Sequence, residues 1–327
     1  MKRFTKKALP LAIAAAMVPG FASAAEVSGF ADVFYNVASD ANPTTDGLFT
    51  ANGEIDVTAA PADGVTVRVD VDLSLASNGG ANASSIAGGP SDSGTLEQAY
   101  FAWGVTEGVT VLGGVFNNPI GAEAEDAPDI NFNTHGVVYN ILDHQTTLAG
   151  DNVAGLAGAF AVGPATITVA YLDDIGLVAE ENSIALVVNA TPVEGLDVEV
   201  GYVTQKNDVV ANNGAGNVAN FNLSYTGVEN LTLGLDYLVP SEIIDSAYEV
   251  SALYSFGAVG VGLRLEDVAY AAGDSNSRTT LRVSYQVASN LTAAIDYADG
   301  TTDVAGFSGV DGIVADAETT LELIATF

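Results

Sequence analysis

Apolar and polar residues alternate strictly along residues 65–75, directly after the turn-forming segment Pro61-Ala62-Asp63-Gly64. The apolar positions are Val65, Val67, Val69, Val71, Leu73 and Leu75, and the polar positions between them are Thr66, Arg68, Asp70, Asp72 and Ser74. Successive side chains of a β-strand point to opposite faces, so this pattern predicts a strand with one apolar and one polar face. The pattern of turn and alternating strand recurs along the chain and ends at Phe327.

Alternation and turn residues together predict sixteen strands, with 14 or 18 as alternatives. The better-defined strands are predicted at 26–37, 48–60, 65–75, 95–105, 109–116, 152–162, 165–173 and about 315–327. Short turns alternate with longer polar loops, and the longest connection, Asn117 to Gly150, is the third long loop. This asymmetry is typical of an all-β fold, namely a transmembrane, antiparallel, up-and-down β-barrel. In this barrel the third outside loop is the long one. A soluble secreted β-sandwich is the alternative.

The first 24 residues are typical of a cleaved signal peptide. Lys2, Arg3, Lys6 and Lys7 are followed by the apolar run Ala8–Val18, and Ala22-Ser23-Ala24 supplies a small-residue cleavage site. We therefore expect residues 1–24 to be removed and residues 25–327 to form the barrel. Export of such a barrel implies the outer membrane of a Gram-negative cell, with outer-membrane lipid around it.

Charge and composition exclude several classes of function. Without the signal peptide the chain keeps five basic residues against 41 acidic ones, a net charge of about −36. This charge argues against binding to nucleic acid or to anionic surfaces. The absence of cysteine excludes disulfides and thiol chemistry. His135 and His144, the only histidines, both lie in the long loop, and neither is paired with a nucleophile. We therefore predict that the protein is not an enzyme and has no cofactor and no metal site. We expect both histidines to be solvated.

The polar face of the strands predicts a charged, water-filled lumen, because a barrel of about sixteen strands is too wide for side chains to fill. The predicted lining residues are Glu54, Asp56, Arg68, Asp70, Asp72, Asp197, Glu199, Asp236 and Glu249. A wall rich in carboxylates favours cations. The alternative is that acidic outside loops dominate the net charge and that the lumen is closer to neutral.

The long loop carries a second set of candidate residues. If it folds inward, Glu123, Glu125, Asp126 and Asp129 would face the opposite wall, where strands 13 and 14 carry Arg264 and Arg282. These six residues are the predicted pore constriction. In the alternative, Arg264 and Arg282 pair with Glu266 and Glu249 on their own wall and the loop acids take no part.

Two segments resemble known families of outer-membrane proteins. Leu321, Leu323, Ala325 and Phe327 resemble the C-terminal signal that such proteins present to the barrel-assembly machinery, so Phe327 is the predicted assembly signal. The stretch Gly113 to Asn133 is similar to the OmpL-like β-barrel porin family, in which a strand runs into a Pro-x-Gly-x-Glu segment. The layout also resembles the general porins, whose longest loop likewise follows strand 5, although the chain has few of their arginines.

These resemblances imply a porin: a barrel for passive diffusion of ions and small hydrophilic solutes, here through an acidic, cation-preferring pore. A homotrimer is implied by the general porins alone. The other function left open is a non-conducting outer-membrane barrel that acts in surface adhesion or envelope structure. The long loop distinguishes them, since an inward loop narrows a pore and an outward loop displays a binding surface.

Overall fold

The chain forms a closed barrel of sixteen antiparallel strands. The computed structural model describes residues 25–37, 47, 49–76, 96–145, 151–173, 182–204, 216–271, 273, 275–300 and 317–327. The predicted signal peptide, residues 1–24, and the predicted loop at 78–93 lie outside the described residues, as do positions 146–150 of the long loop. The signal peptide therefore stays a prediction.

The strands follow one another around the barrel in chain order. They are β1 (Glu26–Asn36), β2 (Phe49–Ala62), β3 (Val65–Ala76), β4 (Gln98–Thr106), β5 (Val109–Asn117), β6 (Asn152–Val162), β7 (Ala165–Asp173), β8 (Asn182–Val193), β9 (Leu196–Val203), β10 (Val218–Tyr225), β11 (Leu231–Pro240), β12 (Ile244–Phe256), β13 (Val259–Tyr270), β14 (Ser275–Ala288), β15 (Leu291–Gly300) and β16 (Glu318–Thr326). β1 pairs with β16, for example at Val33 opposite Leu323, which closes the sheet. The predicted fold class and the count of sixteen are confirmed.

Side chains alternate between the two faces of the barrel wall, as the sequence predicts. On β13, Leu263 and Leu265 are 37% and 43% exposed, whereas Arg264 and Glu266 between and after them are 1% and 2% exposed. A carboxylate or guanidinium on the outer face would be costly in lipid, so the wall points these groups inward. The outer face is mostly apolar along the described strands, and polar outward positions such as Asp267, Thr279 and Asp299 lie toward the ends of their strands.

The two rims of the barrel differ in their connections. Short turns such as the one between β2 and β3 lie at one rim, the turn end, and the longer connections lie at the other, the loop end. Two loop-end connections, β11–β12 and β13–β14, are nevertheless as short as turns. Exposed aromatic residues mark both rims, as an interfacial girdle requires. Tyr171, Tyr202, Tyr237, Tyr248 and Tyr297 lie toward the loop end, and Trp103, Phe160, Tyr254, Phe256 and Tyr285 toward the turn end.

A short helix, α1 (Val137–Gln145), lies inside the barrel and packs against β11, β12 and β13. Its buried residues Val137, Val138, Ile141 and Leu142 share one helical face. They belong to one buried apolar cluster with inward-facing wall residues, among them Leu112, Val187, Leu238, Ala247 and Val268. The buried core is therefore in the lumen. Among the described residues, no helix is both long and apolar enough to span a bilayer.

Candidate functional site

The connection between β5 and β6, residues 118–151, is called the β5–β6 loop; its described residues, 118–145 and 151, fold into the lumen. Its base is closed by Asn118, whose backbone N–H donates to the carbonyl oxygen of Asp151 at 2.7 Å. The loop then reaches the far wall. The backbone N–H of Gly121 donates to Asn220 Oδ1 at 3.3 Å, and that of Ala122 donates to Asp236 Oδ2 at 2.8 Å.

One inward-facing glycine makes room for this approach. Ile120 is fully buried, and a Cβ added at Gly201 on β9 would overlap its Cγ2 atom. The loop packs onto the wall here because position 201 has no side chain. The sequence shows the glycine, but only the fold shows what lies over it.

A row of carboxylates crosses the wall beneath the loop. Asp236, Glu249 and Glu266 lie directly opposite one another on β11, β12 and β13. Like charges at paired positions repel. The loop offsets this repulsion with backbone donors: Ala122 N–H donates to Asp236, and Val137 N–H donates to Glu266 Oε1 at 2.8 Å. Val137 begins α1, and the first N–H groups of a helix have no partner within it. The wall therefore caps the helix.

Arg264 is the buried cation of this cluster. Its Nε lies 3.1 Å from Glu266 Oε2, and its Nη1 lies 3.9 Å from Glu123 Oε1 in the loop. Nη1 also donates to the carbonyl oxygen of Thr134 at 2.8 Å, and the guanidinium lies 4.7 Å from the centre of the Phe132 ring. Arg264 thus pairs with an acid of its own wall and also with an acid of the loop. The sequence had offered these two arrangements as alternatives.

Glu123 contacts two other residues of the loop, Gly136 and His135. Its Oε2 accepts a hydrogen bond from Gly136 N–H at 2.7 Å, and its Oε1 lies 3.4 Å from Nδ1 of His135. Burial alone would raise the pKa of Glu123, but the hydrogen bond with His135 and the charge of Arg264 hold the pKa below its ordinary value. The His135 ring stacks on Tyr139 at 3.7 Å between ring centres. The expectation of a freely solvated histidine is therefore wrong for His135, because the loop folds inward over it.

Arg282 forms a second cluster, on the opposite side of β13 from Glu249. Its Nη1 lies 3.2 Å from Asp296 Oδ1, and its Nη2 lies 2.6 Å from Glu322 Oε2. It also donates to Asn133 Oδ1 in the loop. Among the described residues it contacts neither Glu249 nor Glu266, so the predicted pairing with them is wrong for Arg282. The register explains this, since Arg282 lies directly opposite Asp296 and Gly262.

Glu125 and Asp126 lie against the other side of the barrel, at β2 and β3. There Arg68 lies between acids: its Nη2 is 2.9 Å from Asp56 Oδ1, and its Nε is 2.6 Å from Asp70 Oδ2. Nη2 is also 3.9 Å from Glu54 Oε1 and 3.8 Å from Asp126 Oδ2. Burial, and then the charge of Glu97, raise the pKa of Asp126 to about 6, although Arg68 acts in the opposite direction.

The remaining predicted residues occupy varied places. Glu199 is buried and accepts hydrogen bonds from Asn222, at 2.9 Å, and from Asn189. Asp197 lies near the turn end and accepts from Thr191 Oγ1 at 2.5 Å. Asp129 is exposed and, with Glu123, Glu249 and Arg264, lines a small cavity of about 10 Å³. Asp72 is half-buried beside Glu54.

Sequence reasoning missed Glu97. The predicted strand 95–105 gave Glu97 the same parity as Phe101 and Trp103, which are exposed on the outer face. In the structure β4 begins at Gln98, and Glu97 is 5% exposed, with its N–H donating to the carbonyl oxygen of Asp70 at 3.1 Å. A charge at a lipid-facing position is costly, and this was the signal that the strand begins after Glu97.

An open cavity lies below the loop, toward the turn end. Its volume is about 500 Å³. The loop residues Ile130 and Asn131, together with Arg282, border it, and the wall supplies mostly small and polar residues such as Thr232, Ser255, Ser284, Gln286 and Thr292. A wettable cavity under an inward-folded loop is the geometry expected of a constricted channel.

Comparison with solved structures shows a porin-type barrel fold. A variant of the Rh. blastica porin with five substitutions covers 93% of this chain and 100% of its own, with 16% identity and a TM-score of 0.62. A triple variant of the Rhodopseudomonas blastica porin shows 15% identity and a TM-score of 0.59 over the same shares. A third structure, described as "Asymmetric conductivity of engineered proteins", shows 16% identity and a TM-score of 0.61, again over 93% and 100%.

No protein-family model and no curated protein matches the chain. At these identities the likeness concerns the fold, and the narrower OmpL-like resemblance of Gly113 to Asn133 stays a prediction.

Proposed function

We propose that this protein is an outer-membrane porin that lets ions and small hydrophilic solutes diffuse passively through an acidic, cation-preferring pore. The observation that carries the proposal is the β5–β6 loop, which lies inside a closed sixteen-strand barrel and is hydrogen-bonded to opposite parts of its wall. A loop anchored in this way narrows the lumen, and the contacts that hold it there all lie within the chain. The apolar outer face and its two aromatic rims support residence in a membrane.

Cation preference is supported by the charges along the described lumen. Carboxylates outnumber arginines there, and Arg68, Arg264 and Arg282 each lie between two or more acids. Each arginine is thereby neutralised locally, so the excess carboxylates determine the field that a permeating ion meets.

The other candidate, a non-conducting barrel for adhesion or envelope structure, has weaker support. It would use the long loop as an outward binding surface, but the described part of that loop packs inside. The solved structures similar to this chain include porins and one described in terms of conductivity. A homotrimer is proposed from the general-porin layout alone, and cross-linking of the folded protein in detergent would test it.

Single-channel recording of the refolded chain 25–327 in a planar bilayer, under a salt gradient, tests the proposal. We expect discrete conductance steps and a reversal potential on the cation-selective side. Conductance steps without ion selectivity would support a pore but contradict the proposed cation preference. A correctly folded barrel that conducts no current would reject the porin function.

A further inference from the structure

Five carboxylates meet where the β5–β6 loop touches the wall formed by β2, β3 and the start of β4. They are Glu54, Asp72 and Glu97 of the wall and Glu125 and Asp126 of the loop, and we call them the wall–loop carboxylate cluster. One oxygen each of Asp72, Glu97 and Glu125 lies within 4.8 Å of the other two, and the same holds for Glu54, Glu97 and Asp126. Glu97 belongs to both groups and is the centre of the cluster.

Arg68 compensates only one side of this cluster. Its guanidinium binds Asp56 and Asp70 at 2.9 and 2.6 Å and lies at 3.9 and 3.8 Å from Glu54 and Asp126. Among the described residues, no basic side chain lies within 4 Å of Asp72, Glu97 or Glu125. Within the described part of the chain, these three carboxylates therefore have no basic side chain as a partner, although an oxygen of each lies within 4.8 Å of the other two.

The hydrogen bonds around Glu97 and Glu125 orient them without neutralising them. The Nδ2 group of Asn152 donates to Glu97 Oε1 at 3.3 Å and to Glu125 Oε2 at 3.1 Å. Gln98 Nε2 also donates to Glu97 Oε1, at 3.0 Å. These donors reach Glu97 Oε1 and Glu125 Oε2, and among the described residues Glu97 Oε2 accepts no hydrogen bond.

Two oxygens of the cluster are buried and accept no hydrogen bond. Glu97 Oε2 and Glu54 Oε1 are buried without a hydrogen-bond partner, in residues that are 5% and 2% exposed. A buried carboxylate oxygen without a partner is destabilising, and a bound cation is the ordinary way to satisfy several such oxygens together.

We propose that the wall–loop carboxylate cluster binds one divalent cation, Ca²⁺ in preference to Mg²⁺. Ca²⁺ takes six to eight oxygen ligands in flexible geometry, and carboxylates from separate elements plus water meet that demand. Mg²⁺ requires a stricter octahedron, and Zn²⁺ prefers nitrogen or sulfur ligands, which the cluster lacks. The ion joins the loop to the wall, since Glu125 and Asp126 belong to the loop and the other three residues to the wall.

This inference goes beyond the proposed pore, because it concerns an ion that is held and does not depend on conduction. Calorimetric titration of chelator-treated, folded chain 25–327 in detergent with CaCl₂ tests it directly. We expect saturable binding of one Ca²⁺ per chain and at least about tenfold weaker binding of Mg²⁺.

The double variant Glu97→Gln with Glu125→Gln removes two ligands while keeping their shape. We expect at least about tenfold weaker Ca²⁺ binding. The matched control is Glu229→Gln, in the exposed turn between β10 and β11, which should bind Ca²⁺ like the unaltered protein. Thermal unfolding gives a second readout: Ca²⁺ stabilises the unaltered protein and the control, whereas the double variant is more stable than the unaltered protein without Ca²⁺ and gains nothing from it.

Absence of saturable Ca²⁺ binding to the folded, unaltered protein would overturn the proposal. Equal affinity in the double variant would overturn it as well, because the ion would then lie elsewhere. Equal affinity for Mg²⁺ would overturn the preference for calcium. None of these results depends on whether the barrel conducts.

Discussion

At the scale of single residues, the lumen contains charges that are shared between the wall and the β5–β6 loop. Arg264 contacts Glu266 on its own strand and also Glu123 and the carbonyl of Thr134 in the loop. Arg282 contacts Asp296 and Glu322 as well as Asn133. Removing either arginine therefore changes two things: the charge along the lumen and the attachment of the loop.

Replacing both Arg264 and Arg282 with Ala is expected to increase cation preference. The substitutions leave Glu123, Glu266, Asp296 and Glu322 without their strongest cationic partners, so the lumen becomes more negative. The reversal potential under a salt gradient measures the change. The corresponding Lys variants keep the positive charge and should stay near the unaltered value. An unchanged reversal potential in the double Ala variant would show that the two arginines are not part of the constriction.

Lowering the pH through about 6 is expected to reduce cation preference, because Asp126 gains a proton there. Its pKa is raised above the ordinary value of 3.8 in the folded loop. The folded form thus binds the proton more tightly than the unfolded form, and between these two values stability falls as pH rises. Reversal potentials recorded from pH 8 to pH 5 test the effect. The Asp126→Asn variant should show a weaker pH dependence of the reversal potential. If the variant kept the full pH dependence, a group other than Asp126 would be responsible for it.

At the scale of elements, α1 and the β5–β6 loop depend on the wall. A nine-residue helix is marginal alone, and α1 is stabilised by its buried apolar face and by Glu266, which accepts from Val137 N–H. Of the paired acids Asp236, Glu249 and Glu266, the first and the last in turn accept hydrogen bonds from backbone N–H groups of the loop. Docking of the loop therefore also supplies donors to two of these three carboxylates.

Gly201→Ala is expected to destabilise the folded barrel by about 1–3 kcal/mol, because its Cβ overlaps the Ile120 side chain in a packed site. Urea unfolding in lipid vesicles measures the loss. Ile120→Ala also destabilises, but it removes the atoms that clash, so the double variant should lose less than the sum of the two single variants. Strictly additive losses would show that Ile120 does not pack on Gly201.

At the scale of the whole molecule, closure brings the two ends of the barrel together. β1 pairs with β16, and the N–H of Phe327 donates to the carbonyl oxygen of Gly29 at 3.0 Å. The Phe327 side chain itself is 66% exposed, so it contributes little to the folded core. An exposed terminal ring on the last strand is consistent with a recognition role during assembly.

Replacing Phe327 with Ser is expected to lower the amount of folded barrel in the outer membrane while leaving the stability of the refolded protein nearly unchanged. The exposed ring loses few packing contacts, whereas an assembly signal would lose its recognised group. Heat-modifiable electrophoretic mobility of membrane fractions measures folded barrel in cells. Thr326→Ser, on the opposite face of the same strand and outside the alternating signal, is the control. Equal amounts of folded Phe327→Ser and unaltered protein would refute the assembly role.

Alternation along the sequence predicts the barrel, its sixteen strands and most of the inward-facing residues, because the period of two residues is present locally in each strand; Glu97 is an exception. β6 and β7 were predicted with the bounds that the structure has. The start of β4 was placed too early, because the prediction included Glu97 although its charge falls at the outward parity of the strand. The α1 helix was not predicted, because its nine residues depend on the wall for stability.

Only the tertiary structure decided which inward residues meet. The partners of Arg282 are 14 and 40 residues away in sequence, and Asn133 is 149 residues away. The wall–loop carboxylate cluster joins residues from β2, β3, the start of β4 and the β5–β6 loop. No local pattern encodes such distances: they follow from the register of the closed sheet and from the direction in which one loop folds, and both depend on the packing of the whole barrel.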